Sequence, residues 1–108
     1  MNKKIEFNYK DKDYVLEYNR EAVAYIEQQG FVVSELAKKP MLMLPMAFEG
    51  LFYKNHKNAK KAEMDEIFDK FKDKSALITT IVEMLSETYE TLQDNTEDVE
   101  GNIEWKVV

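Results

Sequence analysis

Residues 4–26, KIEFNYKDKDYVLEYNREAVAYI, change their apolar period part-way along, and that change decides the fold. Ile5, Phe7 and Tyr9 alternate with polar residues, Lys10-Asp11-Lys12-Asp13 intervene, and Tyr14, Leu16 and Tyr18 alternate again. Side chains two apart share one face of a strand, so the stretch predicts a β-hairpin with these six residues on its core face. The loop has no glycine, which predicts a longer connection built around a type I turn in place of a tight two-residue primed turn. From Asn19 the spacing becomes helical. The Asn19 side chain suits the cap position, Tyr18 and Val23 are placed as a hydrophobic staple, and Ala22, Tyr25 and Ile26 carry the helix toward Gly30. Gly30 fits the left-handed position just past a helix end, with Phe31 folding back on the last turn.

Ser34 is expected to cap a short turn, Glu35 to Lys38, closed by Pro40. Between Met41 and Tyr53 ten of thirteen positions are apolar, so a helix from about residue 44 to the His56 region would need cover on several sides, with Pro45 in its first turn. Met64, Ile67, Phe68 and Phe71 then mark one face of an amphipathic helix that begins near Lys61. After a break at Asp73 to Ser75, with Ser75 as the cap, Ile78, Ile81, Val82, Leu85, Tyr89 and Leu92 mark one face of a longer helix expected to pack antiparallel to it. Asp94 to Gly101 is polar and acidic, and residues 102–108 alternate once more around the single tryptophan, Trp105. The fold class is therefore α+β and mainly helical: an N-terminal β-hairpin, about four helices, and an acidic linker leading to a latent short strand. One globular domain is expected over residues 1–93, and a linker and arm over 94–108.

The chain has 108 residues, 44% of them apolar, with 15 Lys+Arg against 21 Asp+Glu. That composition suits one domain with a modest core. Without cysteine there is no disulfide framework and no thiolate metal site, and a lone His56 supplies no histidine zinc cage. Residues 75–108 hold a single base, Lys106, against eight acids, which disfavours nucleic acid as a partner. No apolar run approaches the roughly 20 residues that cross a bilayer, and no signal-peptide core is present, so the expectation is a cytoplasmic protein with no membrane partner. Asp65, Asp69 and Asp73 share one helical face, but it is the solvated face, where nothing would tune them for acid–base work. A calcium loop over Thr96 to Val107 lacks its first and last ligands. His56 has no nucleophile beside it and reads as a surface histidine among Lys54, Lys57, Lys60 and Lys61, themselves read as a solvated helix junction. No catalytic residue, cofactor or metal is expected.

Two features point to protein binding. Three of the six methionines fall in Met41-Leu42-Met43-Leu44-Pro45-Met46, where thioethers could line an adaptable surface or fill the core, core being the first reading in so small a chain. Ile103, Trp105 and Val107 could add a strand to the hairpin edge or anchor a partner, and the residues leave both open.

The order of elements resembles the small tail assembly chaperones encoded by long-tailed phages and prophages of Gram-positive bacteria. The resemblance is carried by Phe7, Tyr14, Leu16 and Tyr18-Asn19, by Leu51-Phe52-Tyr53-Lys54-Asn55-His56, by Asp65-Glu66-Ile67-Phe68-Asp69, by the helix from Leu77 to Leu92, and by Gly101-Asn102-Ile103-Glu104-Trp105-Lys106-Val107. It implies a non-enzymatic protein of the host cytoplasm that binds the tape measure protein and tail tube subunits during assembly and is absent from the finished virion, with self-association as a further possibility. On that footing Met41, Leu44, Phe48 and Phe52 are expected to form a partner groove with Ile67, Phe68 and Phe71, and Ile103, Trp105 and Val107 a detachable arm. The competing expectation is a prophage-encoded helical protein-binding or regulatory module unrelated to tails.

Overall fold

The computed structural model describes residues 3–92 and 103–108. Strands β1 (Ile5–Tyr9) and β2 (Lys12–Leu16) pair antiparallel, with Ile5 opposite Leu16, Phe7 opposite Tyr14 and Tyr9 opposite Lys12. The hairpin and its core face are as the alternation predicts. Its turn is not: only Lys10 and Asp11 separate the paired ends, and both have positive φ, 52° and 62°, the signature of the type I′ turn. The register explains the difference. A longer loop would slide Tyr14 away from Phe7, whose ring it stacks on at 4.9 Å, so packing holds two non-glycine residues in the left-handed region.

Helix α1 (Arg20–Gln28) starts where the Asn19 side chain accepts the Ala22 amide at 2.7 Å. It ends in a Schellman motif: Phe31 donates to the Ile26 carbonyl and Gly30, at φ 110°, donates to Glu27. Phe31 and Ile26 are both buried. A 3₁₀ turn over Val33–Glu35 follows, two residues earlier than expected, and Ser34 lies inside it without capping it.

Helix α2 (Pro40–Gly50) departs most from the sequence reading. Pro40 opens it, because the first helical amide has no partner to lose, and Pro45 sits inside it. The carbonyl that Pro45 leaves without a donor belongs to Met41, at the solvent-exposed start of the helix. The far end runs on as i→i+3 turns, and every terminal carbonyl finds a donor. The Tyr18 hydroxyl takes Ala47, Leu51 N takes Phe48, Phe52 N takes Glu49 and Tyr53 N takes Gly50.

Helix α3 (Lys61–Lys70) buries Ile67 and turns Asp65 and Asp69 to solvent. Helix α4 (Lys74–Glu90) is capped by Asp73, held at φ 53° with its carboxylate accepting the Ala76 amide, so the expected Ser75 cap lies two residues further on, within the first turn. Its buried stripe is Leu77, Ile81, Met84 and Leu85. Ile78 and Val82, expected on that face, are more than a third exposed, and Leu92 is exposed. The expected antiparallel α3–α4 pair does not form: α3 packs on α2, and α4 packs on α1 and α2. α2 is thus the element the rest surround, as a helix apolar nearly all round requires.

One cluster of buried side chains runs from Tyr14 to Leu85, and the aromatic rings thread it. Phe7 meets Phe71 edge-on at 4.9 Å, and Phe48 meets Phe68, Phe52 and Phe71 at 5.1, 5.4 and 5.7 Å. Residues 103–108 form no strand and are exposed. The acidic stretch Asp94 to Gly101 and most of the rejected calcium loop lie outside the described residues.

Candidate functional site

Of the residues expected to meet a partner, Phe48, Phe52 and Ile67 are buried and Phe68 and Phe71 pack half-buried against them. The groove drawn between the Met41–Phe52 segment and the α3 face is the internal α2–α3 interface, closed by the protein's own side chains. Leu44 is half-buried against the same core. Met41 is different: it is 89% exposed, and its neighbour Leu42 is 59% exposed.

These two residues open a cleft of about 420 Å³ between α1 and α2, lined by Tyr25, Ile26, Met41, Leu42, Pro45 and Met46, with Glu49 and Lys61 at its rim. The local sequence explains the exposure. Pro40 and Pro45 fix the first turns of α2 as helix, and α1 ends at Gln28, too short to cover them. The methionine run therefore divides. Met43 faces the core, Met41 faces solvent, and Met46 lies partly buried in the cleft wall. Lys61 bridges the Glu49 and Asp65 carboxylates at 2.9 and 3.4 Å, which raises its pKa through the bond to Glu49 first and Asp65 second. Tyr25 stacks on Tyr53 at 4.7 Å, and the Lys57 ammonium sits 4.6 Å from the Tyr53 ring. An apolar floor with a charged rim, lined by flexible sulfur side chains, suits an amphipathic helix better than a small polar molecule.

Ile103, Trp105 and Val107 are 82%, 81% and 87% exposed. Covering each such side chain is worth about 1.5–3 kcal/mol, so together with the cleft they are the largest uncovered apolar resource among the described residues.

The polar side chains nearby are engaged in contacts within the fold. His56, read from sequence as a surface histidine, is half-buried against the Tyr14 and Phe52 rings, and its Nε2 accepts the Val15 amide at 3.0 Å. Burial and the Lys12 ammonium push its pKa below the usual value, with Glu63 opposing. Glu17 is buried beside it. Burial alone would raise that carboxyl, but the Asn55 amide at 2.9 Å and the Lys54 ammonium at 3.1 Å hold it below the usual carboxylate value. Lys54, Lys57 and Lys61 are thus engaged with Glu17, Tyr53 and Glu49. At the hairpin tip, Tyr9 donates to Glu66 and Tyr14 to Glu63, latching the sheet to α3; burial and then the Glu63 bond push the Tyr14 hydroxyl up to about 12. Among the described residues no group of three or more His, Asp or Glu is placed to hold a metal ion, and no helix is long and apolar enough to cross a membrane.

A family model described as a domain of unknown function (DUF5055) matches residues 1–108. The chain belongs to this family. No curated protein and no solved structure matches this DUF5055 chain.

Proposed function

We propose that this protein is a tail assembly chaperone of a long-tailed phage or prophage. In this reading it holds the tape measure protein, and through it tail tube subunits, in the host cytoplasm, acts without catalysis, and leaves before the virion is complete. The observation that carries the reading is the Met41–Leu42–Pro45–Met46 cleft against Tyr25, an adaptable apolar floor on an acidic protein. A tape measure protein is a long helical chain with an apolar seam. A chaperone for it needs an apolar groove that binds reversibly, and thioether side chains repack at low cost around seams of varied shape. An acidic exterior keeps the loaded complex from coalescing.

The test is calorimetric titration of the full chain with a helical fragment of the long tape measure protein encoded beside it. Binding is expected, and the double substitution Met41→Ser, Leu42→Ser should weaken it about ten-fold or more while leaving Tm unchanged, since both side chains are exposed. A parent protein that ignores the fragment, or a double variant that binds as well as the parent, overturns the reading. If no tail genes surround the coding sequence, the tail-unrelated binding module takes its place.

A further inference from the structure

The two strands of the hairpin are not equivalent at their outer edges. On β2, Val15 donates its amide to His56 Nε2 at 3.0 Å and accepts Asn55 Nδ2 at its carbonyl at 3.1 Å, and Glu17 donates its amide to the Leu51 carbonyl at 3.2 Å. That edge is closed. Because Val15 directs both backbone groups away from β1, Val15 and its partner Glu6 are a non-hydrogen-bonded pair, and the alternation places the outward groups of β1 on Lys4, Glu6 and Asn8. All three residues are exposed, and no described residue bonds those outward amides and carbonyls. On the core face, Tyr14 and Leu16 of β2 are buried, whereas Ile5, Phe7 and Tyr9 of β1 are only half covered. β1 thus offers a row of unmet donors and acceptors beside an apolar face that stops short, the condition for strand addition.

We infer that residues 103–108 of a second copy of this chain add to β1 as an antiparallel third strand. Ile103, Trp105 and Val107 lie opposite Tyr9, Phe7 and Ile5, and Glu104 and Lys106 opposite Asn8 and Glu6. Charge selects this register. A shift of two residues one way sets Glu104 against Glu6 and Lys106 against Lys4, two like-charge pairs. A shift of two the other way sets Lys106 against Asn8 and carries Glu104 off the ladder to Lys10 in the turn, so no ion pair forms within the strands. A shift of one turns Trp105 to the solvent face. Exposure selects the second copy. Within one chain residues 103–108 lie exposed and outside the two-stranded sheet while the β1 edge stays open, so a second chain is what brings the two together.

Trp105 is the only tryptophan, so its emission reports the seating directly. Light scattering and fluorescence of the full chain across a dilution series should show a mass above the monomer at high concentration, with blue-shifted emission, and both should relax together on dilution. Glu6→Lys should weaken association about ten-fold, and adding Lys106→Glu should restore it. Circular dichroism confirms that the exposed substitutions leave the fold intact. Emission typical of exposed tryptophan with monomer mass at every concentration overturns the inference. So does blue-shifted emission in a monomer that dilution does not change, which would seat the segment on its own chain. Association indifferent to Glu6→Lys overturns it as well, because the contact would then lie off β1.

Discussion

His56 ties strand β2 to the turns after α2 through a single side chain. Its ring fills the space between Tyr14 and Phe52, and its Nε2 gives the Val15 amide the partner that a third strand would otherwise supply. Only the neutral ring can accept that bond. The sign of the pH dependence follows. Burial and Lys12 set the folded-state pKa below the ordinary 6.5, so between those two values the unfolded chain binds more protons and stability falls as pH falls. His56's contribution is complete above about pH 6.5 and is lost as pH drops through the lower folded value. Urea unfolding midpoints at successive pH values should therefore be flat above neutrality and decline toward pH 5. His56→Gln, which keeps an acceptor but does not titrate, should remove the decline over that interval, before Asp and Glu begin to protonate. An unchanged slope in the variant would place the proton elsewhere.

Helices α1 and α2 approach each other closely through Gly50, which carries no strained backbone and is small for another reason. A Cβ there would stand 2.8 Å from Ile26 Cγ2, and Ile26 is fully buried, with no room to turn aside. Gly50→Ala gains helix propensity of roughly 0.5–1 kcal/mol but forces overpacking that typically costs about 1–3 kcal/mol, so a net loss near 1 kcal/mol is expected. Thermal unfolding should show Tm lower by about 4–8 °C. A Tm equal to or above the parent's would mean that the helices separate freely. This closeness was not legible in the sequence, where Gly50 reads as an interruption of an apolar run. What the sequence did carry were features set by local chemistry: the hairpin's core face, the Asn19 cap, the Gly30 terminus and the α3 face. What it could not carry were choices made by a distant partner. α4 offers two adjacent apolar stripes, both at helical spacing, and only the surfaces of α1 and α2 decide that Leu77 and Met84 go inward while Ile78 and Val82 stay half out. The type I′ turn and the start of α2 at Pro40 were settled in the same way, by a strand register and a packing direction against residues far along the chain.

Taken whole, the described residues divide into a body that holds the core and a terminal segment, 103–108, that holds none of it. Among the described residues every buried apolar side chain lies between Tyr14 and Leu85, and residues 103–108 are exposed throughout. The two candidate binding features divide along the same line, the α1–α2 cleft on the body and the Trp105 segment on the arm. Sequence spacing marked Met41, Ile103, Trp105 and Val107, which are exposed, and equally Phe48, Phe52 and Ile67, which are buried, because an apolar residue that binds a partner and one that fills the core look alike until burial separates them. A chain ended after Leu92 tests the division. It loses Asp94, Glu97, Asp98, Glu100, Glu104 and Lys106, five acids and one base, so its net charge moves from −6 to −2. Residues 103–108 are exposed, and loss of surface residues typically costs within about 0.5 kcal/mol, so Tm of the shortened chain at high dilution should stay within about 3 °C of the parent's. It should also keep the affinity of the cleft for a helical partner while losing concentration-dependent association, since the segment that adds to β1 is gone. A large fall in Tm would show that the arm packs on its own body. Association that persists would move the contact between copies to the body, and loss of helix binding would move the partner site to the arm.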